Sequence, residues 1–526
     1  MSHSAMLPDL PGNWHWARVR DITGVIRGGS PRPKGDPRYF GGSIPWIMIS
    51  DVSRESGKYL TQTRETVTEE GAKRSRLLRA GALILSNSGT VCVPKILAID
   101  GCIHDGFVSF PSLPQEVSKD FLYYWFETIR PQIIQRNKQG VTQVNLNTEI
   151  VREIEVPLAP TNEQRRIVQK IEELFSKLDA GVAALERVKA NLKRYRAAVL
   201  KAAVEGKLTA EWRAKHPDTE PASKLLERIL KERRRKWEEA QLAKYAAAGK
   251  DPPKGWREKY KEPVGAQFDL LPELPQGWGW ATVEQIAEIQ GGIQKQPSRR
   301  PVKNRFPFLR VANVLRGRLD LDNVHEIELF AGELERLLLR KGDLLVVEGN
   351  GSKTEIGRSA HWNGEIVNCV HQNHIIRVRL EEGSPMFLNA YWNSPIGTRR
   401  VAEVAASTSG LYTLSVGKIS SLPIPLAPLA EQEQIVAEVE RRLSIVDELE
   451  GQVAADLKRA SRLRQSILKR AFAGRLVPQD PSDEPAAKLL ERIREGQQVH
   501  EVNDKTATRG RSRGRRVKSK QGRTEG

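Results

Sequence analysis

The sequence is poor in cysteine. Cys92, Cys102 and Cys369 are the only three in 526 residues, and no CxxC pair occurs. A disulfide framework is excluded, and a reducing interior fits best. Long apolar runs are also missing. No stretch approaches 18 consecutive apolar residues, and residues 1–16 hold no apolar core of signal-peptide length. A soluble, cytoplasmic protein is therefore expected. Acidic residues are in deficit: 84 Lys and Arg stand against 65 Asp and Glu, a net charge of +19. The balance points to a polyanionic partner. Residues 505–526 contribute nine basic and one acidic side chain, so +11 remains for the rest of the chain.

Catalytic signatures are absent as well. Asp251-Pro252-Pro253-Lys254 begins like the motif with which amino-methyltransferases hold a flipped base. The stacking aromatic is replaced by Lys254 and no Gly-rich cofactor loop precedes it, so it reads as a linker. Gly349-Asn350-Gly351-Ser352-Lys353-Thr354 lacks the Gly that a phosphate loop places directly before its Lys. It reads as a turn after a strand, with a DNA-facing loop as the functional alternative. His371 and His374 have no Cys or carboxylate pattern beside them, and no metal site is expected. Paired carboxylates suited to metal-dependent nuclease chemistry do not stand out.

What the chain does have is a repeat with an offset of 264 to 268 residues. Leu7-Pro8-Asp9-Leu10-Pro11 with Trp14 and Trp16 returns as Leu271-Pro272-Glu273-Leu274-Pro275 with Trp278 and Trp280. Pro157-Leu158-Ala159-Pro160 with Glu163-Gln164 returns as Pro425-Leu426-Ala427-Pro428 with Glu431-Gln432. Pro221 to Ile229 returns as Pro485 to Ile493. The period is too long for a solenoid and marks domain duplication. Each copy begins with short β-like runs bounded by Gly and Pro, Ser43–Ile49 and Gly81–Ser86 in the first, Pro307–Val311 and Gly342–Val347 in the second. A helix is predicted from Phe121 to Gln135, interrupted by Pro131, and its counterpart starts at Phe387.

Residues 161–205 then read as one long helix. Ile167, Ile171, Leu174, Leu178, Val182, Leu185, Val188, Leu192, Tyr195 and Val199 recur at steps of three and four, close to a coiled-coil seam. Ile435, Val439, Val446, Leu449, Val453, Ala460, Leu463 and Ile467 repeat the pattern. Thr161 and Gln164 have capping-box spacing, and Gly206 and Gly474 are the expected stops. About 45 residues at about 1.5 Å each give a rod of roughly 65–70 Å, which needs a partner stripe. The other rod is the economical candidate. The connectivity favours an antiparallel pair with a globular domain at each end and a pseudo-two-fold axis; a parallel pair would need a long return link.

The expected fold is two α/β globular domains, pseudo-repeated, joined by two long α-helices forming an antiparallel coiled coil. The divisions are 7–160, a first domain; 161–215, a first helical spacer; 216–270, a charged helical extension and linker; 271–427, a second domain; 428–478, a second spacer; and 479–526, a C-terminal segment with a basic tail.

Basic loops are the candidate contacts with nucleic acid. Arg27, Arg32, Lys34 and Arg38 cluster in a Gly/Pro-rich stretch, and Lys295, Arg299, Arg300, Lys303 and Arg305 cluster at the equivalent place. Arg reads guanine edges, and both Lys and Arg neutralise phosphates. Thr142, Gln143, Asn145, Ser409 and Tyr412 could contact bases, Asn and Gln reading adenine. For each residue alone a solvated loop position is the plain alternative. The pair Glu431-Gln432 keeps its place although Pro428, Leu429 and Ala430 offer no Ser or Thr cap. Glu163, Gln164, Glu431 and Gln432 are therefore candidates for docking another subunit or chain segment, with simple dipole complementarity as the alternative.

Taken together these residues resemble the specificity (S) subunits of type I restriction–modification systems. The opening Leu-Pro-x-Leu-Pro with its tryptophans, the Pro-Leu-Ala-Pro…Glu-Gln entries, and the exits Ala198–Leu208 and Ser466–Leu476 carry the resemblance over nearly the whole chain. It implies target recognition domains that each read one half of a split DNA sequence. It also implies rods that set the spacing and dock two methyltransferase subunits, to which restriction subunits may add, and no catalysis by this chain. S-adenosylmethionine, ATP and Mg would then sit on partner subunits. The insert 231–262 and the basic tail depart from the pattern. Two readings from other classes stay open: a stand-alone DNA methyltransferase or nuclease, and a coiled-coil scaffold binding only protein.

Overall fold

A computed structural model describes residues 9–55, 57–137, 146–266, 271–350 (the side chain of Asn350 excepted), 355–405 and 412–496. The chain divides into two compact units, residues 1–185 with 455–526, and residues 186–454.

In the first unit the tryptophan motif and the proline motif are strand partners. His15–Arg18 pairs antiparallel with Glu155–Leu158, with Trp16 opposite Pro157. A five-stranded sheet follows the order Ile26–Arg27, Phe107–Ser109, Leu83–Ser86, Pro94–Leu97, Tyr59–Leu60. A four-stranded sheet follows the order Glu65–Val67, Phe40–Ile47, Gly101–Ile103, Arg76–Leu78. Leu83–Ser86 is buried at every position, which is why Leu83, Ile84 and Leu85 run unbroken rather than alternating with polar residues. The helix Lys119–Asn137 runs through Pro131, where an interruption was expected. Proline there withholds one N–H and frees the carbonyl of residue 127. Phe121 and Phe126, fully buried, hold this helix to the core regardless.

The second unit repeats the plan. Gly279–Thr282 pairs with Pro423–Leu426, with Trp280 opposite Pro425. One sheet runs Ala287–Gly291, Ile375–Leu380, Leu344–Val347, Ser359–His361, and another His325–Glu328, Arg305–Leu309, Val370–His371. The parallel contact Trp46↔Cys102 and Ile47↔Ile103 of the first unit has its counterpart in Phe308↔Val370 and Leu309↔His371.

The long helices are Thr161–Val204 and Leu429–Phe472. Each unit holds the start of one and the end of the other, and in each unit they run antiparallel. In the first, Arg166 pairs with Asp483 at 2.6 Å and Asp179 with Arg464 at 3.3 Å. In the second, Arg196 meets Glu450 at 3.0 Å, while Val199, Leu200 and Ala203 pack on Ile435 and Val439. The helix ends share the core of the globular part. Phe472 lies 5.0 Å from Phe121 and 5.1 Å from Trp125, centroid to centroid, and Phe175 lies 5.8 Å from Tyr124.

The seam read from the sequence is only partly covered. Val188, Tyr195, Leu449 and Leu463 are 42–49% exposed. An undistorted helix drifts about 20° per heptad from a 3.5-residue repeat, so a two-helix seam cannot bury every member of a long stripe.

Both helices stop in the same way. Gly206 and Gly474 have φ of +65°. Lys207 N donates to Ala202 O and Arg475 N to Arg470 O, both at 2.9 Å, closing a left-handed terminus that glycine adopts without penalty. A Cβ on Gly474 would fall 2.2 Å from Pro11 Cγ, whereas one on Gly181, inside the first helix, meets nothing within 4 Å. Gly474→Ala should lower stability by about 1–3 kcal/mol, and Gly181→Ala should raise it by up to about 1 kcal/mol. Urea unfolding of the two variants checks the opposite signs.

Candidate nucleic-acid interface

Each unit presents a basic loop pinned by a glycine against a strand turn. In the first, Gly28 N donates to Phe107 O at 2.9 Å and Gly29 N to Ile103 O at 3.1 Å. A Cβ on Gly28 would lie 2.2 Å from His104 O, so only glycine allows this approach. In the second, Ile293 N donates to His371 O at 2.9 Å, and a Cβ on Gly292 would lie 2.3 Å from that same oxygen.

The turns that carry these carbonyls were missed in the sequence. Ser30 Oγ donates to Asp105 Oδ1 at 2.7 Å, and Arg27 Nε to Asp105 O at 2.7 Å. His104 Nδ1 accepts from Gly106 N at 2.9 Å, which leaves its Nε2 facing Asp105 Oδ1 at 2.9 Å. Burial pushes the His104 ring below its ordinary pKa, against the pull of Asp105, and Arg32, Lys34 and Arg27 push it further down. The second unit has Gln372 and Asn373 at this turn, with Gln372 Oε1 accepting from Val311 N at 3.4 Å. A signal existed: the repeat offset is 264 at Gly28 and Gly292 but 268 at His104 and Gln372, so the copies differ by four residues between loop and turn.

The structure separates the candidate cations into two groups. Arg32 and Lys34 in the first unit, and Lys295, Arg300 and Lys303 in the second, are exposed and have no acidic partner among the described residues. Arg38 instead pairs with Asp36 at 2.6 Å, and this hydrogen bond holds the Asp36 carboxyl down to about 2. Arg299 makes a two-pronged pair with Glu333, 2.8 Å at each contact, with its side chain only 11% exposed. Arg299 is thus a brace for the loop rather than a free reader, because a carboxylate already fills its fork. Glu328 accepts the backbone N–H groups of Val302, Lys303 and Asn304, at 2.7, 3.1 and 2.9 Å, and holds the rest of that loop. Arg305 lies 3.9 Å from Glu326. Tyr412 packs against the core of the second unit, in register with Asn350. Thr142, Gln143, Asn145 and Ser409 lie outside the described residues, as do Ser352, Lys353, Thr354 and the basic tail.

The Glu-Gln pairs meet other segments of the same chain. Gln164 and Gln432 make the same two bonds. Gln164 accepts from Ser118 N and donates to Ala159 O; Gln432 accepts from Ser384 N and donates to Ala427 O, all at 2.8 Å. No capping box forms at Thr161, whose hydroxyl donates to Glu116 O at 3.0 Å. Glu431 accepts from Thr209 Oγ1 at 2.7 Å, Arg213 Nη2 at 2.7 Å and Trp278 Nε1 at 2.9 Å. Glu163 accepts from Gln479 Nε2, and from Asn13 Nδ2 at 3.5 Å. All four residues are at most 1% exposed. They offer no surface to a second subunit. The glutamates dock the segment that follows the other long helix, and the glutamines the adjoining α/β layer.

Residues 11–189 match the family described as the type I restriction modification DNA specificity domain. The chain is 26% identical over 510 residues to the type I restriction enzyme EcoKI specificity subunit of Escherichia coli K12, covering 92% of this chain and 96% of that protein. Over nearly its whole length the chain is similar to type I restriction enzyme specificity subunits. The StySPI specificity subunit of Salmonella potsdam is 25% identical over 508 residues, with the same coverage of 92% and 96%. A solved chain from work on complex assembly and conformational transition of the type I R-M system shares the fold at a TM-score of 0.56, with 18% identity, over 89% of this chain and all of that one. The matched segment takes in the first basic loop, the strand pair at Trp16, and Glu163-Gln164.

The two buried glutamates should answer differently to loss of charge. Burial pushes the Glu163 carboxyl up, and its hydrogen-bond donors Gln479 and Asn13 are neutral. Glu431 faces the guanidinium of Arg213, itself 21% exposed. Glu431→Gln should cost about 2–3 kcal/mol, and Glu163→Gln less than about 1 kcal/mol. Parallel urea melts at neutral pH measure the difference, and equal costs would contradict the assignment.

Proposed function

We propose that this specificity subunit reads a two-part DNA target for a type I restriction–modification complex, one half through each α/β unit. The observation that carries this reading is the pair of glycine-pinned loops. Both have the same backbone anchorage, yet they bear different free cations, Arg32 and Lys34 against Lys295, Arg300 and Lys303. A common frame with unlike side chains is what two readers of unlike half-sites require, since phosphate contacts fix register and base contacts carry sequence.

The long helices set the gap between the half-sites and dock two methyltransferase subunits, with restriction subunits joining the complex. The exposed apolar side chains Val188, Tyr195, Ile445 and Leu449 support such docking, since a helix pair gains by covering them. The chain itself is a non-catalytic recognition subunit. S-adenosylmethionine, ATP and Mg belong to its partners. No described helix is long and apolar enough to cross a membrane.

Exchange of residues 7–160 for the reader of another specificity subunit should change the letters of one half-site and leave the other intact. Binding-site selection on randomised duplexes reads this directly, and a change in both halves would refute independent readers. Lengthening both long helices by two turns at matched positions should alter the permitted gap while both half-sites keep their letters. The same selection reports it, and altered letters with an unchanged gap would count against the spacer role.

A further inference from the structure

The insert after Ile229 is unexplained by the two-reader plan. The helix Ala222–Ala247 packs its first turns on the second unit through Leu225 and Ile229, both buried. Arg233 donates to Ala287 O at 3.0 Å and Lys236 pairs with Glu381 at 2.7 Å. Beyond this root the helix leaves the core, and the chain turns back on it. Gly249, at φ +62°, ends the helix, with Lys250 N donating to Tyr245 O at 3.0 Å. Gly255, at φ +76°, opens a short 3-10 turn, Trp256–Lys259. The returning strap is stapled to the helix by aromatic rings. Trp256 stacks on Trp237 at 5.9 Å and Tyr260 lies 5.3 Å from it. The staple makes the projection a built element rather than a loose linker.

Charge is unevenly placed along it. Residues 231–262 hold eleven basic and six acidic side chains. Near the root the cations are matched: Lys231 with Glu227, Arg234 with Glu238 and Glu262, Arg235 with Glu232 and Glu239, Arg257 with Glu238. Lys244, Lys250 and Lys254 at the far end, and Lys259 and Lys261 on the returning strap, are all exposed, and none has an acidic partner among the described residues. Asp251 and Glu258 are the unmatched acids there. An arginine fork suits a carboxylate, whereas unpaired lysines on a rigid base are mobile point charges suited to a line of phosphates.

We propose that this stapled projection is a second, sequence-independent DNA contact: its unpaired lysines hold the phosphate backbone of duplex lying outside the bases that are read. The inference rests on the DNA-reading function proposed above and adds a partner surface to it. Such a contact raises affinity equally for all sequences and steepens the salt dependence, by about 0.9 in slope for each phosphate neutralised on duplex DNA.

The test is equilibrium binding of the full chain to a selected target duplex and to a scrambled duplex of equal length, across a range of salt. The variant replaces the five lysines together (Lys244→Gln, Lys250→Gln, Lys254→Gln, Lys259→Gln, Lys261→Gln). Expected is a slope shallower by about 2 or more, and a loss of about tenfold, by the same factor, on both duplexes. The matching five Lys→Arg changes should retain the wild-type slope, which separates charge from fold. Unchanged slope and affinities would overturn the proposal. So would a loss confined to the selected duplex, which would make these lysines base readers. Intact DNA binding with loss of methyltransferase-subunit capture would make it a protein contact instead. If the wild-type chain shows no salt-dependent binding to any duplex, the reading function falls with it.

Discussion

The structure depends on a buried carboxylate–amide pair at the start of each long helix. Gln164 and Gln432 tie the helix start to the strand and helix of the adjoining α/β layer. Glu163 and Glu431, one residue earlier, tie it to the segment leaving the other long helix. Buried polar groups of this kind are costly unless every bond is made. That cost holds the two helices and the reader in one arrangement within each unit. A hydrophobic core alone tolerates sliding between helices; a carboxylate that must meet Arg213 and Trp278 does not.

Above that clasp the loops are arranged by the same economy. Acidic groups consume some of the cations and leave others free. Arg299 braces against Glu333, Arg38 against Asp36, and Glu328 gathers three backbone donors. Arg32, Lys34, Lys295, Arg300 and Lys303 are left facing solvent from loops whose backbone is pinned. A charge on a fixed loop meets a phosphate or base edge with less ordering cost than one on a loose chain. The same division recurs in the stapled insert, with matched charges along the helix and unmatched lysines at its end and on the returning strap.

Much of the architecture is legible in the sequence. The repeated Trp and Pro-Leu-Ala-Pro motifs are strand partners in both units, and Gly206 and Gly474 end their helices. These are local features, or features duplicated within one chain, and they leave a mark in spacing. Less legible were the contacts that join distant segments. Glu163 and Gln479 are far apart in sequence, and no periodicity connects them. Pro131 suggested a break because its effect on a helix is local, while the burial of Phe121 and Phe126 that overrides it is tertiary.

The sequence by itself determined the duplication, the two long amphipathic helices and the sites of basic excess. Composition, period and turn residues act through neighbouring positions, and these can be read in one dimension. Only the tertiary structure decided which cations are spent on carboxylates and which remain free. It also decided that the Glu-Gln pairs face inward, and that Val188 and Tyr195 stay exposed on a stripe that looked continuous. The physical reason is that desolvation and charge pairing depend on what lies across a contact, and that neighbour comes from a remote part of the chain.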